Sequence, residues 1–344
     1  MSDGLRERAA DWKSRGSTFS WSPGDGAAPV EIFHVESGDS SNPTLLLVHG
    51  FPTCSVDWLD LVELLSDDFR VCALDFPGYG FSDKPLGWGY SLPRDAALLD
   101  YYLAEVVGVS AATVMAHDRG TSVSMLHTIN SVAGSTATSV EHLVLTNGNI
   151  YLPLSNLTDF QRLVLDPASA PKVLEIMTPE LLAAGMGDLT FWPSRRPGDP
   201  EVDALTDTFA HNDGIKVLHE TIQYLVERAD SETAWLEALA ATDVPTTVIW
   251  GMNDPVSPVR VPSYAWNNFF MLKPGANRFY LIPDASHYVQ NDRPDAVVAT
   301  LRHSFDPASD TKPGPITGES RSPVLIDVSR PKIPAGTDVI RGAT

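Results

Sequence analysis

Residues 114–120 are Val114-Met115-Ala116-His117-Asp118-Arg119-Gly120, in which an apolar run is followed by His117 and the carboxylate of Asp118. A small residue lies two positions before Asp118, and another lies two positions after it. A helical pattern follows over Thr121–Ile129. A strand that turns abruptly into a helix exposes its central side chain and brings backbones close together, which requires small residues such as Ala116 and Gly120. The pattern predicts a nucleophile turn of the Gly-x-Ser-x-Gly kind with Asp118 in place of serine. An aspartate that only caps a helix is the alternative.

Two further polar side chains follow later strand-like runs. Thr246–Trp250 is followed closely by Asp254, and Arg278–Ile282 is followed closely by His287. A candidate nucleophile, a carboxylate and an imidazole therefore occur in the chain order that this kind of turn requires. Taken singly, Asp254 is typical of a turn and His287 of a surface histidine. Three matching residue types after three strands rarely coincide, so we predict that they form one catalytic set with Asp118.

A fourth element, His49-Gly50-Phe51-Pro52, comes directly after the apolar run Thr44–Val48. The backbone N–H groups of Phe51 and Arg119 are the predicted donors of an oxyanion hole. A simple Gly-Pro turn is the alternative interpretation. Three neighbouring side chains are predicted to contact the substrate, namely His49, Pro52 and His117.

Short β-rich runs alternate with helical patterns, which is typical of a mostly parallel sheet with crossover helices. No β-rich run occurs between Thr146 and Thr246, where the pattern is helical with Pro and Gly breaks. Such an insertion predicts a cap over the carboxyl ends of the strands, where ligands bind. We expect the core at 1–148 and 244–305, the cap at 149–243, and a Pro/Ser/Gly-rich tail at 306–344.

Composition limits the possible partners. The 344 residues include 24 basic and 44 acidic side chains, a formal charge of −20 that argues against nucleic acid and anionic membranes. Two cysteines, no apparent signal peptide and no run of about 18 apolar residues predict a cytoplasmic protein without a membrane partner. No metal-ligand spacing or cofactor fingerprint occurs, so we predict neither a metal nor a cofactor. A monomer or homodimer is expected.

From about Val30 to Phe305 the chain resembles the α/β-hydrolase superfamily. That resemblance implies a mostly parallel eight-stranded sheet flanked by helices, with an inserted helical cap. The chain is most similar to the branch with an aspartate nucleophile, which comprises epoxide hydrolases, haloalkane dehalogenases and fluoroacetate dehalogenases. His49–Pro52 resembles the His-Gly-x-Pro signature of epoxide hydrolases, and Asp75–Pro85 resembles a turn common in the branch. Leu145–Asn149 and Asn212–Gly214 are similar to mesoderm-specific transcript proteins.

An ionised aspartate attacks a saturated carbon to give an alkyl ester, which an imidazole-activated water then hydrolyses. The resemblance implies hydrolysis of a small apolar epoxide to a diol. Epoxide hydrolases protonate the departing oxygen with two cap tyrosines, and Tyr224 matches the second of them; a tyrosine packed in the core is the alternative. The other insertion residues predicted to donate a proton or to bind the substrate are Tyr151, Trp192 and His211.

Two other functions remain open. Haloalkane dehalogenases usually carry Trp after the nucleophile and often Asn after His-Gly, where this chain has Arg119 and Phe51. Fluoroacetate dehalogenases resemble His117–Gly120 but carry a second Arg where this chain has Ser122. Hydrolytic dehalogenation of a haloalkane or haloacid is therefore the alternative activity. A non-catalytic ligand-binding protein with a hydrolase fold is the second alternative.

Overall fold

The computed structural model describes residues 4–305 and 322–326. The predicted tail at 306–344 lies outside the described residues except for that last short segment. Nine strands form one sheet in this part of the chain. They are β1 (Gly16–Trp21), β2 (Val30–Ser37), β3 (Thr44–Val48), β4 (Arg70–Leu74), β5 (Ala111–His117), β6 (Ser139–Thr146), β7 (Thr246–Gly251), β8 (Arg278–Ile282) and β9 (Val324–Leu325).

The strand order is β1-β2-β4-β3-β5-β6-β7-β8-β9. Strands β3 to β8 pair in parallel with their neighbours, while β1, β2 and β9 add antiparallel pairings at the two sides. The prediction of a mostly parallel α/β-hydrolase sheet is confirmed, with nine strands instead of the expected eight. Strand β1 escaped prediction because only Trp21 of its six residues is buried, so it lacks the apolar run of a central strand.

Fourteen helices surround the sheet in the described residues. They are α1 (Glu7–Arg15), α2 (Leu59–Leu65), α3 (Leu92–Tyr101), α4 (Arg119–Val132), α5 (Asp159–Leu165), α6 (Ala170–Ile176), α7 (Pro179–Thr190), α8 (Pro200–Ala210), α9 (Leu218–Thr221), α10 (Tyr224–Ala229), α11 (Glu232–Ala240), α12 (Arg260–Ala265), α13 (Val289–Asp292) and α14 (Pro294–Phe305). Helices α5 to α11 lie between β6 and β7 in the chain, and we call this stretch the helical insertion. Over residues 4–305 and 322–326, no helix has the length and apolar character that crossing a bilayer requires.

The central strands bring the predicted site residues to one edge of the sheet. In the register of β3 and β5, Val48 lies beside Ala116, so the segments that follow these strands emerge side by side. The next strands, β6, β7 and β8, are parallel neighbours and end at the same edge. Because carboxyl ends of parallel strands meet at one edge, the turns after five strands can share one site.

The turn between β5 and α4 is tightly packed. Asp118 adopts φ 48° and ψ −118°, a backbone conformation that residues other than glycine rarely adopt. A Cβ atom on Gly50 would lie 2.4 Å from the Asp118 Cβ, and one on Gly120 would lie 2.5 Å from the Val48 carbonyl oxygen. The absence of side chains at these glycines therefore allows the turn to approach the end of β3.

Replacing Gly120 by alanine should destabilise the fold, because the new methyl group would collide with the backbone of a central strand. We expect Gly120→Ala to lower the free energy of unfolding by about 1–3 kcal/mol, measured by urea denaturation. The matched control is Gly185→Ala on α7, where a Cβ would meet no atom within 4 Å. That variant should be neutral or more stable by up to about 1 kcal/mol. Equal effects of the two substitutions would contradict this account of the turn.

Candidate active site

Three side chains that the sequence singled out meet at the carboxyl edge of the sheet. The His287 Nε2 lies 3.5 Å from the Asp118 Oδ2, and the His287 Nδ1 lies 2.9 Å from the Asp254 Oδ2. All three residues are at most 4% exposed. An imidazole thus lies between two buried carboxylates, one on the strained turn and the other after β7.

Asp254 is held by four hydrogen bonds. Its Oδ1 accepts from the backbone N–H groups of Val256 at 2.7 Å and Ser257 at 2.9 Å. Its Oδ2 accepts from the Asn147 side chain at 2.8 Å and from His287. Burial alone would raise the pKa of Asp254, but the charge of His287 and these hydrogen bonds outweigh it and lower the pKa. The carboxylate therefore stays ionised and orients the imidazole.

Asp118 receives a hydrogen bond from the opposite side of the turn. The backbone N–H of Phe51 donates to its Oδ1 at 2.8 Å. Arg119 is the first residue of α4, and the first N–H groups of a helix have no partner within it. The Phe51 N–H therefore contacts the carboxylate of Asp118, and Arg119 is the next residue in the chain; the role of these two N–H groups as an oxyanion hole stays a prediction. Burial would raise the pKa of Asp118, but His287 and Phe51 lower it overall.

The imidazole itself is strongly basic in this setting. Burial would lower the pKa of His287, yet the two carboxylates oppose that effect and raise the pKa to about 10. His287 is therefore protonated at neutral pH while Asp118 is ionised.

His49 and His117, which were predicted to contact the substrate, are both hydrogen-bonded to backbone groups of the site loops. The Nε2 of His117 donates to the His287 carbonyl at 2.9 Å, and His49 is bonded to the backbone of Gly50 and Phe76. Burial lowers the pKa of each to about 3, so both are neutral. These histidines stabilise the loops around the site, because each has a ring nitrogen that is hydrogen-bonded to a backbone group.

A cavity of about 400 Å³ opens beside His287, between the sheet edge and the helical insertion. Phe51, Pro52 and Tyr288 line its inner end, and residues of α5 and α7 line the remainder. Pro52, which was predicted to contact the substrate, thus lines the cavity. Tyr288 also lines it, although the sequence analysis did not single it out. Its position directly after His287 was the available signal.

Four predicted insertion residues are absent from the lining of this cavity, namely Tyr151, Trp192, His211 and Tyr224. Tyr151 stacks on Tyr264 with ring centroids 4.1 Å apart, and the His211 ring packs against Phe81 at 5.2 Å. Trp192 is 48% exposed and does not line the cavity. The sequence places these residues in the insertion but does not determine how its short helices are oriented, and their contacts with a substrate stay predictions.

Tyr224, at the start of α10, is buried beside the nucleophile turn. Its ring centroid lies 6.1 Å from that of Phe51, and the Arg119 guanidinium lies 5.5 Å from the centroid of the Tyr224 ring. The hydroxyl has no hydrogen-bond partner among the described residues. Burial, reinforced by the negative charge of Asp118, raises the pKa of Tyr224. The phenol therefore remains protonated and has a free donor.

Two arginines near the turn are held by other groups. Arg119 pairs with Asp95, so its positive charge is matched inside the protein, and both side chains are 2% exposed. Arg228 on α10 donates to Asn149 and Ile150 carbonyls at 2.6 Å each and to the Ser122 hydroxyl at 2.8 Å. Sequence analysis missed Arg228, since nothing local shows that it reaches a residue 106 positions away.

The topology and the site geometry together define an α/β-hydrolase fold with a histidine and two aspartates at the carboxyl edge of the sheet. Residues 45–300 match the model of the alpha/beta hydrolase family. The chain belongs to this family.

Curated relatives agree with that assignment. The chain is 31% identical over 286 residues to a putative hydrolase, LipZ, of Mycobacterium tuberculosis, covering 83% of this chain and 94% of that protein. It is 31% identical over 254 residues to the human mesoderm-specific transcript homolog protein, covering 72% and 73%. It is 27% identical over 288 residues to haloalkane dehalogenase 2 of M. tuberculosis, covering 80% and 91%.

Among solved structures, the haloalkane dehalogenase DbeA of Bradyrhizobium elkani superposes with a TM-score of 0.67 at 21% identity, covering 86% of this chain and all of that one (100%). At this identity the likeness supports the fold alone.

Nuclear magnetic resonance tests the charge of the imidazole. In protein with ¹⁵N-labelled histidines, the His287 ring should carry protons on both nitrogens at pH 7 to 8, because its pKa is raised to about 10. Its signal is assigned by its loss in His287→Gln. In Asp254→Asn the ring should lose its second proton at lower pH, since one neighbouring negative charge is gone. A neutral His287 at pH 7 in the unmodified protein would contradict the described electrostatics.

Proposed function

We propose that the protein hydrolyses an apolar epoxide to a diol through an alkyl ester on Asp118. The single observation that carries this proposal is the ionised Asp118 on its strained turn, with the His287 Nε2 3.5 Å from its Oδ2. A carboxylate that attacked an ester or amide would form a reactive anhydride. Attack on a saturated carbon instead forms an ordinary ester, which a histidine-activated water can hydrolyse.

In the first step an Asp118 carboxylate oxygen bonds to an epoxide carbon, and the ring C–O bond breaks with its electron pair on oxygen. That oxygen needs a proton, and Tyr224 supplies it. The buried Tyr224 hydroxyl, which has no hydrogen-bond partner within residues 4–305 and 322–326, supports this role. A free donor beside a developing negative charge stabilises the transition state more than the ground state.

Ester formation then changes the state of His287. Esterified Asp118 carries no charge, so one of the two carboxylates that raise the pKa of His287 is lost. The proton that His287 releases returns the Tyr224 phenolate to the phenol. Neutral His287, oriented by Asp254, then takes a proton from water as the water attacks the ester carbonyl. The Phe51 and Arg119 N–H groups stabilise the oxyanion until the ester C–O bond breaks. The departing alkoxide takes the proton of the Asp118 carboxyl group, and the diol leaves with Asp118 ionised and His287 protonated, as at the start.

Hydrolytic dehalogenation is the second candidate, and similarity to haloalkane dehalogenase 2 favours it. In that reaction a halide leaves the saturated carbon, and N–H donors stabilise it. The positions where haloalkane dehalogenases usually carry such donors hold Phe51 and Arg119 in this chain, and the Arg119 side chain pairs with Asp95. Halide release from haloalkanes, with no diol formed from an epoxide panel, would favour this candidate over the first.

Removing the base should trap the ester. In His287→Ala incubated with an epoxide, hydrolysis should slow by about 10²–10⁴-fold while alkylation continues, because Asp118 needs no base for its attack. Intact-mass spectrometry should show the protein plus one epoxide, and peptide mapping should locate it on Asp118. The control Asp118→Ala should gain no mass. Adduct formation in both variants would show that Asp118 is not the nucleophile.

Removing the phenol hydroxyl should affect only the first step. Tyr224→Phe should slow ester formation from an epoxide by about 10²-fold in rapid-quench experiments, because the departing oxygen loses its acid. Ester hydrolysis should be unchanged. The matched control is Tyr151→Phe, since Tyr151 lies away from the cavity. Unchanged alkylation in Tyr224→Phe would remove Tyr224 from the proposed mechanism.

A further inference from the structure

Helix α7 leads away from the catalytic imidazole. The carbonyl of Thr190, its last residue, accepts a hydrogen bond from the His287 backbone N–H at 3.1 Å. A helix rises about 1.5 Å per residue, so Leu181 lies roughly 13 Å from Thr190 along the axis. One end of α7 is therefore fixed beside the site, while the other lies well outside it.

One face of α7 forms an apolar wall of the cavity. Leu181, Gly185 and Leu189 are spaced four residues apart and share this face, and all three line the cavity. We call the groove along this wall the α7 groove, formed by Met177, Leu181, Leu182, Gly185, Met186 and Leu189. Leu181 is 60% exposed and Leu189 is 46% exposed, so two large apolar side chains border the groove without cover.

Gly185 keeps the middle of the groove open. A Cβ at this position would meet no atom within 4 Å, although Leu182 and Ala183 of the same helix are buried. Glycine inside a helix costs roughly 0.5–1 kcal/mol relative to alanine. Its presence here leaves a passage that a larger side chain would fill.

The start of α5 also contributes to the lining. Its lining residues are Thr158, Asp159, Phe160 and Gln161, three of which are polar. The carboxylate of Asp159 is exposed, and the whole chain carries a formal charge of −20. A ligand whose far end carries a negative charge would be repelled from this entrance.

From these features we propose that the cleft takes a substrate with an unbranched, uncharged apolar chain. The reactive end lies at Asp118, and the chain follows the α7 groove over Gly185 towards Leu181. An extended chain with C–C bonds close to 1.5 Å and tetrahedral angles advances about 1.25 Å per carbon, so the roughly 13 Å from Thr190 to Leu181 accommodates about ten chain carbons. The position of the reactive end depends on the proposed function, whereas the groove binds the chain without any chemistry.

Binding of n-alkanols tests the groove directly. The full-length protein is loaded with the neutral fluorescent probe N-phenyl-1-naphthylamine, and alkanols from butanol to dodecanol displace it. Affinity should rise about fourfold per added methylene, as expected for burial of a CH₂ group, and should level off near ten carbons. Decanoate should bind at least tenfold more weakly than decanol, because its carboxylate would lie at the reactive end, where two carboxylates and one imidazolium leave a net negative charge.

Variants locate the chain. Gly185→Phe should make affinity level off near six carbons, since its ring would fill the groove about halfway along α7. Leu181→Asp should weaken decanol at least tenfold and leave butanol unchanged. Leu272→Asp is the control, because Leu272 is 82% exposed and does not line this cavity. This variant should bind the series as the unmodified protein does.

Three results would overturn the proposal: no dependence on chain length, unchanged decanol binding in Gly185→Phe, or an equal loss in Leu272→Asp. Turnover of terminal 1,2-epoxyalkanes separates it from the proposed function. If alkanols bind as expected but no epoxide opens, the groove is supported and the epoxide chemistry fails. If epoxides of all lengths open with equal kcat/KM, the chemistry stands and the groove is wrong.

Discussion

A protonated imidazole between two buried carboxylates is the interaction on which the site depends. Each of these charges alone would be costly to bury, and together they stabilise one another. Asp254 is fixed by backbone N–H groups, so it orients His287 throughout a reaction. Asp118 is the member whose charge can change. Loss of that charge would convert His287 from a charge partner into a base, which links the two proposed steps without movement of the backbone.

The sequence could predict the sheet and this charged set because both follow from short-range patterns. The run Thr44–Val48 consists of one threonine and four aliphatic residues, as expected for a strand that is buried on both faces, and all five of its residues are buried. Parallel strands end at one edge, so residues just after β5, β7 and β8 had to lie near one another. The small residues around Asp118 also had a local signal, and the packing of Gly120 against Val48 explains it.

Long-range packing left no comparable signal in the sequence. Tyr151, Trp192 and His211 were assigned from position in the helical insertion, yet short helices separated by Pro and Gly can turn any face towards the cavity. Asn147 and Arg228 were missed because their partners lie 107 and 106 residues away. Contacts of this kind depend on how the insertion packs on the sheet, which no local pattern encodes.

The central claim is that water attacks an ester of Asp118 and not the substrate itself. A single turnover in H₂¹⁸O, with enzyme in excess over a terminal epoxide, tests it directly. Our account predicts that the heavy oxygen enters the Asp118 carboxylate, detected in its peptide by mass spectrometry, while the first diol formed remains unlabelled. Label in the diol with none in Asp118 would contradict it.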